Sequence, residues 1–302
     1  MRIGVDLAAG EIAVLALADD GSVLRRERGL AAAIRYEEML ETVTSLVGAI
    51  EGALGTKGTV GVSLPGAISA KTGRVKNSNN ANLIGADLRN DLARTLRRDV
   101  RIGNDANCFT LAEASDGAAA SGVVVVGLIL GGGVGAGIAI ERRVIEGVNA
   151  IAGELGHNSL PWSNDEESAR VRCYCGKTGC IEQFLSTAGL QRAYKARTGS
   201  YVSADEITRA SAARHADASA CLAEYEDRLA RVLGSLTNLI DPDTVVIGGS
   251  LARNAIDYGT LRSAVARYAF TDRLDTKIVP SAHGDAGAAR GAAMLWPAAS
   301  NL

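Results

Sequence analysis

The sequence predicts an α/β fold built from two related halves around a cleft, and three observations carry that prediction. Ile3–Asp6 and Ala13–Leu17 read as short apolar strands joined by the turn Leu7-Ala-Ala-Gly-Glu11. The same pattern returns at Val123–Leu130, where a strand is followed by Gly131-Gly-Gly-Val-Gly-Ala-Gly137 and a returning strand at Ile138–Ile140. A third strand-to-glycine step stands at Val245-Val-Ile-Gly-Gly-Ser250, and amphipathic helices separate the strands. Strand, glycine turn and strand opening both halves point to duplication of one α/β unit.

Taken in order, Asp19-Asp-Gly21 turns the chain into a third strand near Val23. Residues 36–54 place Leu40, Val43, Val47, Ile50 and Leu54 at helical spacing, and Thr59–Leu64 is a buried strand ended by Pro65-Gly66. Lys76-Asn-Ser-Asn-Asn-Ala-Asn82 is a polar loop. Asp87 is expected to cap a helix carrying Leu88, Leu92 and Leu96, before a strand at Val100–Ile102. That strand ends in Gly103-Asn-Asp-Ala-Asn107, which opens a helix through Ala114. Polar residues at the carboxyl end of a strand are where open α/β sheets bind ligands, but Asp and Asn are also ordinary helix caps. The two roles are compatible, with Asn104 capping and Asp105 facing the cleft. Further on, Ser203-Ala-Asp-Glu206 is a capping box, and an alanine-rich helix from about Ala218 to Ile240 stops at Asp241-Pro242. Small residues from Gly284 to Leu295 suit a closely packed last helix.

At 302 residues the chain can bury a large core, and its length favours two domains. With 47% hydrophobic residues and 22% charged ones it is globular in composition. A formal net charge of −2 offers no electrostatic reason for a nucleic acid or an anionic membrane as partner. The apolar run Val123 to Leu130 is too short to span a bilayer, and the N-terminus enters a strand pattern without a signal-peptide shape. A cytoplasmic protein is expected. Cys108 and Cys221 fall in helical patterns and read as small core residues.

The remaining three cysteines form Cys173-Tyr-Cys175-Gly-Lys-Thr-Gly-Cys180, with His157 sixteen residues upstream of the first. Thiolates and a neutral imidazole are what a tetrahedral Zn²⁺ requires, and Gly176 and Gly179 let a short loop wrap an ion. The alternative is a set of buried or disulfide-bonded cysteines. Glu154 and Glu182 flank the stretch although neither packing nor zinc demands them, which suggests a substrate pocket beside a structural metal. The glycine turn at 131–137 could cradle phosphates with free backbone N–H groups.

Together, Leu130-Gly-Gly-Gly-Val-Gly-Ala-Gly-Ile138, Ala152-Gly-Glu-Leu-Gly-His157, the cysteine stretch through Glu182 and Asn104-Asp-Ala-Asn107 resemble the ROK family of sugar kinases and sugar-responsive repressors. The likeness spans essentially the whole chain and is nearest to bacterial fructokinases of the manno(fructo)kinase type. No helix-turn-helix pattern stands ahead of Ile3, which sets the expectation of a kinase. The resemblance implies a duplicated actin-like, ribonuclease-H-like (hexokinase-type) fold. Its domains would be residues 1–115 with a C-terminal helix at 285–302, and residues 116–284 bearing the zinc loop. It implies structural Zn²⁺ on His157, Cys173, Cys175 and Cys180. It implies a hexose site of Gly66, Asn79, Asn104, Asp105, Glu154, His157 and Glu182, with Asp105 as catalytic base. Mg²⁺ with ATP would be held by Asp6, through water, and by Gly10, Gly131, Gly132, Gly133, Gly135, Gly248 and Gly249. The implied reaction is ATP-dependent phosphorylation of a hexose at its 6-hydroxyl, fructose first, with mannose and glucose as alternatives. Relatives are often homodimers.

The chain departs from that pattern at its phosphate loops. Relatives read Asp-x-Gly-Gly-Thr-Lys after the first strand, whereas this chain reads Asp6-Leu-Ala8-Ala9-Gly10-Glu11. Two positions where backbone N–H groups approach phosphate carry Cβ atoms, and an acid replaces the lysine. Two like charges about 4 Å apart repel by about 4 kcal/mol at an effective dielectric of about 20, so the direction in which Glu11 points decides its effect. Gly132 stands where relatives commonly have Thr, and Asn82 replaces an aromatic. A second reading therefore accompanies the kinase: a sugar-binding protein that has lost phosphotransfer, or a non-kinase enzyme that reuses Asp105.

Overall fold

The structure, a computed structural model, describes residues 1–8, 10–30, 35–165, 167 and 171–298. Ala9 of the first glycine turn and residues 299–302 of the expected C-terminal segment lie outside the described residues. Two compact units emerge. The first joins Met1–Ala120, Gly137–Gly153 and His283–Leu302, and the second joins Ser121–Ala136 and Glu154–Ala282. Residues 137–153 thus group with the first unit, where the domain boundaries read from the sequence had assigned them to the second.

The first sheet follows the expected strand pattern closely. It runs β3 (Val23–Leu30), β2 (Glu11–Leu17), β1 (Arg2–Asp6), β4 (Thr59–Leu64) and β7 (Val100–Asn104). β1, β2 and β3 pair antiparallel, while β1, β4 and β7 run parallel, so their carboxyl ends share one edge. β5 (Ala67–Ile68) and β6 (Val75–Lys76) form a small hairpin after Gly66. Helix α1 (Tyr36–Leu54) buries Met39, Val43, Val47 and Ile50 against Ile3, Val5, Val60 and Val62, and each such side chain contributes about 1.5–3 kcal/mol. Leu40 and Leu54, placed on that face by their spacing, are only partly buried. Helix α2 (Leu88–Leu96) buries Leu88, Leu92 and Leu96 as its periodicity requires. Asp87 occupies its N-cap position without the expected capping bond and instead accepts from Asn90 Nδ2 at 3.0 Å. Helix α3 (Asp105–Asp116) follows β7 with no intervening loop.

The second sheet repeats the plan: β10 (Arg143–Val144), β9 (Val134–Ile140), β8 (Val124–Leu130), β11 (Thr244–Gly248) and β12 (Lys277–Pro280). In each sheet the order is third, second, first, fourth and fifth strand, which is the duplication the paired openings announced. β8, β11 and β12 are parallel. β9 begins at Val134, so the glycine turn is shorter than the sequence suggested, and Gly135 and Gly137 are strand residues. Gly137 has no room for a Cβ beside the Ala106 carbonyl, 2.6 Å away. The second unit is completed by α4 (Glu182–Leu185), α5 (Thr187–Thr198), α6 (Ala204–Ala212), α7 (Ala216–Ile240) and α8 (Tyr258–Val265). Ser203 and Glu206 form the expected capping box of α6. Among the described residues no helix is long and apolar enough to cross a membrane.

The last helix, α9 (Gly287–Met294), packs on β1, β4 and α3. Its alanines and the strand glycines let backbones touch. A Cβ on Gly61 would stand 1.8 Å from the Ala292 carbonyl oxygen, and one on Gly4 would stand 1.8 Å from that of Ala289. Trp296 locks the end of the helix by donating from Nε1 to the Val60 carbonyl at 2.7 Å, under the guanidinium of Arg101. Gly61→Ala should therefore destabilise the protein by at least about 3 kcal/mol, because the obstacle is backbone. Gly48→Ala, on the exposed face of α1 with nothing within 4 Å of the added Cβ, should stabilise it by about 0.5–1 kcal/mol. Urea unfolding midpoints of the two variants check this, and equal shifts would contradict the packing described.

Candidate active site

The parallel register of the first unit gathers its polar residues without further help. Asp6 lies opposite Ser63 across β1 and β4, and Leu64 lies opposite Asn104 across β4 and β7. Three strand ends thus deliver Asp6, Ser63 and Asn104 to one edge, the position at which open α/β sheets bind ligands. Ser63 donates its hydroxyl to Asp6 Oδ1 at 2.8 Å. Burial pushes the Asp6 carboxyl up to about 7; the Ser63 hydroxyl opposes that rise, and the charges of Asp105 and Glu11 add to it.

Asn104 performs the capping role expected of it, since its side-chain oxygen accepts from Asn107 N–H at 3.1 Å. Its Nδ2 donates twice, to the Gly66 carbonyl at 3.0 Å and to Asp105 Oδ1 at 2.9 Å. Asp105 Oδ1 also accepts from the Ala106 N–H at 2.9 Å. Two donors therefore fix the carboxylate at the first turn of α3, where the helix dipole favours negative charge. Gly66 must be glycine: φ is +105° and a Cβ would meet the Lys76 carbonyl at 2.7 Å. Asn79 is exposed in the following loop, and its neighbour Asn80 caps a 3₁₀ turn by accepting from Asn82 N–H at 3.1 Å.

In the second unit the ligand atoms of His157, Cys173, Cys175 and Cys180 lie within 4.8 Å of one another. Cys175 Sγ and Cys180 Sγ are 3.6 Å apart, and Cys173 Sγ is 3.5 Å from His157 Nδ1. Disulfide bonding is thereby ruled out for the pair, since a disulfide closes to about 2.05 Å. A tetrahedral Zn²⁺ with Zn–S of about 2.3 Å sets sulfurs about 3.8 Å apart, so the donor set fits that ion in type and spacing. The loop is shaped by Gly176 and Gly179, at φ +89° and +73°, and by the Cys173 N–H donating to the Lys177 carbonyl at 2.8 Å. Burial pushes the Cys180 thiol up to about 12, whereas backbone donation from Lys177 lowers that of Cys175. A bound cation would supply the charge that keeps such a thiolate deprotonated.

Glu182 connects this loop to the glycine turn. Two residues past Cys180, it opens α4, and its Oε2 accepts from the Val134 N–H at 3.1 Å. A Cβ on Gly133 would stand 2.9 Å from the same oxygen, and the Thr187 N–H donates to the Gly131 carbonyl at 2.8 Å. The residue expected to bind the hexose therefore also braces the turn expected to hold phosphate. Gly249, at φ +89°, follows β11 where a Cβ would stand 2.3 Å from the Leu130 carbonyl oxygen, so Gly248-Gly249 is fixed by the close approach of β8. At Gly132, by contrast, an added Cβ would meet nothing within 4 Å.

Two features had no sequence signal of their own. Glu11 is paired with Arg28 at 3.2 Å on the exposed edge of β2 and β3, which answers where its carboxylate goes. Only the strand register, with Arg28 opposite Ala13, brings them together. Tyr174, lying inside the cysteine motif, contacts His157 Nε2 through its hydroxyl at 2.9 Å. Gly10 is at φ +96°, a conformation that a residue bearing a Cβ would resist.

The ROK family signature matches residues 2–299 of the chain. An N-acetyl-D-glucosamine kinase of Pectobacterium carotovorum is 36% identical over 299 residues, covering 98% of each chain. An N-acetyl-D-glucosamine kinase of Escherichia coli is 36% identical over 300 residues, covering 98% of this chain and 99% of that one. Among solved structures, the ROK hexokinase of Thermus thermophilus superposes with a TM-score of 0.86 at 26% identity, covering 97% of this chain and 96% of that one. The narrower expectation of a fructokinase is not carried by these relatives. Similarity of sequence and of the two-domain actin-like α/β fold extends over almost the full length, and the chain belongs to the ROK family.

Proposed function

We propose that the protein is a hexose kinase that transfers the γ-phosphoryl group of ATP to the 6-hydroxyl of N-acetyl-D-glucosamine. The observation that carries the reading is the Asp105 carboxylate, held by two donors at the carboxyl edge of three parallel strands. The choice of sugar rests on the full-length relatives, which are N-acetyl-D-glucosamine kinases, in place of the fructose first expected. In this reading Asp105 accepts the proton of the attacking hydroxyl as the new O–P bond forms and the bond from the γ-phosphorus to the bridging oxygen breaks. Asn104 orients Asp105, and Asp6 orders the water shell of the metal. Mg²⁺ supplies neutralisation of the phosphate charge. Glu154 and Glu182 of the second unit supply hydrogen bonds to the sugar, and Zn²⁺ bound at His157 and the three cysteines would hold the loop that carries them.

The altered first loop favours a tempered version of this reading and supports no different function. The pairing of Glu11 with Arg28 on the exposed strand edge lessens the repulsion a free carboxylate would exert on a triphosphate. The missing hydroxyl at Gly132 remains, and it sits in open space.

Four outcomes test the proposal. Comparison of kcat/KM for N-acetylglucosamine, glucose, mannose and fructose should rank N-acetylglucosamine first, with a 6-phosphate as product; fructose first would restore the earlier expectation. Asp105→Asn keeps shape and one acceptor but cannot take the proton, so kcat should fall at least about 100-fold with sugar affinity little changed. Turnover within a few-fold of the parent would reduce Asp105 to a positioning residue. Gly132→Thr should lower the KM for ATP several-fold while leaving that for sugar unchanged, and an unchanged or raised ATP KM would contradict the assignment of this turn. Metal analysis should find about one zinc per chain, and chelation should lower both thermal stability and sugar affinity. A metal-free protein unchanged in both would show that the cluster is not a zinc site.

A further inference from the structure

His157 presents two ring nitrogens with different tasks. Nδ1 lies 3.5 Å from Cys173 Sγ, within the candidate metal cluster. A neutral imidazole that ligates through Nδ1 carries its proton on Nε2, and this nitrogen is 2.9 Å from Tyr174 Oη. The rings meet edge to face at 5.0 Å, which fixes the phenol relative to the imidazole. Nε2–H then donates to the tyrosine oxygen, and the phenolic O–H is left as a donor pointing onward. Around it stand the two carboxylates expected to bind the sugar: Glu154, whose Oε2 is 3.9 Å from the same Nε2, and Glu182, which with Glu154 acts electrostatically on the phenol. Tyr174 nonetheless remains 60% exposed, an unusual cost for an aromatic that serves packing alone.

We propose that Tyr174 is a specificity-determining residue of the hexose site: its hydroxyl, aimed by zinc-bound His157, hydrogen-bonds the sugar in place of the imidazole nitrogen itself. The proposal rests on the hexose reading of the second unit. Its ligand class is a polyol with an oxygen acceptor within reach of the phenol, a ring hydroxyl or the carbonyl of an acetamido group. His157 becomes a positioning residue that acts through Tyr174, and the metal sets the direction of the relay by fixing the tautomer.

The test is Tyr174→Phe, which keeps the ring against His157 and removes only the hydroxyl. Calorimetric titration with N-acetylglucosamine in the absence of nucleotide should show binding weakened about five- to tenfold, the loss of one neutral hydrogen bond. The KM for ATP and the zinc content should match the parent, which separates lost sugar contact from a damaged loop. Repeating the titration with glucose separates the two acceptors: a smaller loss for glucose assigns the contact to the acetamido carbonyl, and an equal loss assigns it to a ring hydroxyl. Sugar affinity that is unchanged or tighter in Tyr174→Phe, with zinc retained, overturns the proposal while leaving the kinase reading intact. Zinc lost from Tyr174→Phe, and regained together with parental sugar affinity on reconstitution, also overturns it, because the phenol then acts only on the metal. A parent protein that binds no hexose overturns both readings together.

Discussion

The strand register of the first unit is the constraint on which its chemistry depends. Parallel pairing of β1, β4 and β7 leaves no choice about where Asp6, Ser63 and Asn104 end, and α3 starts at once after Asn104. That arrangement is held from behind by α9, whose alanines press directly on the glycines of β1 and β4. Any displacement of β4 would carry Ser63 away from Asp6, and the buried carboxylate would lose the hydroxyl that opposes its protonation. The glycines and alanines of the tail are therefore part of the same device as the polar strand ends, although they lie far from them in sequence.

The second unit relies on a different kind of order. Its ligand-bearing loop has few apolar side chains to hold it, and its geometry is built from glycines at positive φ, backbone bonds and four convergent metal-ligating atoms. Glu182 conveys that order to the glycine turn through the Val134 N–H. A cluster able to hold a structural ion, the carboxylate proposed to face the sugar and the turn proposed to hold phosphate are in this way joined through one short segment. This explains why the sequence places His157, three of its five cysteines, Glu154 and Glu182 in one short stretch.

Much of this is legible in the sequence itself. The repeated strand-glycine-strand openings announced the duplicated sheets, and the spacing of Val43, Val47 and Ile50 or of Leu88, Leu92 and Leu96 gave the buried helix faces. The convergence of His157, Cys173, Cys175 and Cys180 was readable because thiolates and imidazole at such spacing have few other uses. What escaped depends on three-dimensional register. Arg28 meets Glu11 only because β2 and β3 pair antiparallel, and seventeen residues of chain carry no hint of it. Tyr174 lay in full view between two cysteines, but an aromatic in a loop has no pattern that distinguishes a hydrogen-bond relay from packing. The glycine turn was read too long because Gly135 and Gly137 look like turn residues, whereas both lie within a strand and Gly137 serves close approach there. The choice among hexoses was not legible, since the motifs shared across the family report the fold and the cysteine cluster more than the sugar, and the relatives' names point to N-acetyl-D-glucosamine where the motifs had suggested fructose.

Whether a kinase survives such a loop depends on where one carboxylate goes. With Glu11 engaged by Arg28, the proposed kinase reading expects a loop that lacks a lysine's attraction without a full repulsion, and so a nucleotide affinity that is lowered but not abolished. Titration of the N-acetylglucosamine-saturated protein with Mg·AMPPNP in a calorimeter measures this directly. The account expects saturable binding of about one nucleotide per chain, weaker in Arg28→Ala, where Glu11 is set free. Sugar binding with no detectable nucleotide binding in the parent protein would contradict it and make the protein a hexose binder.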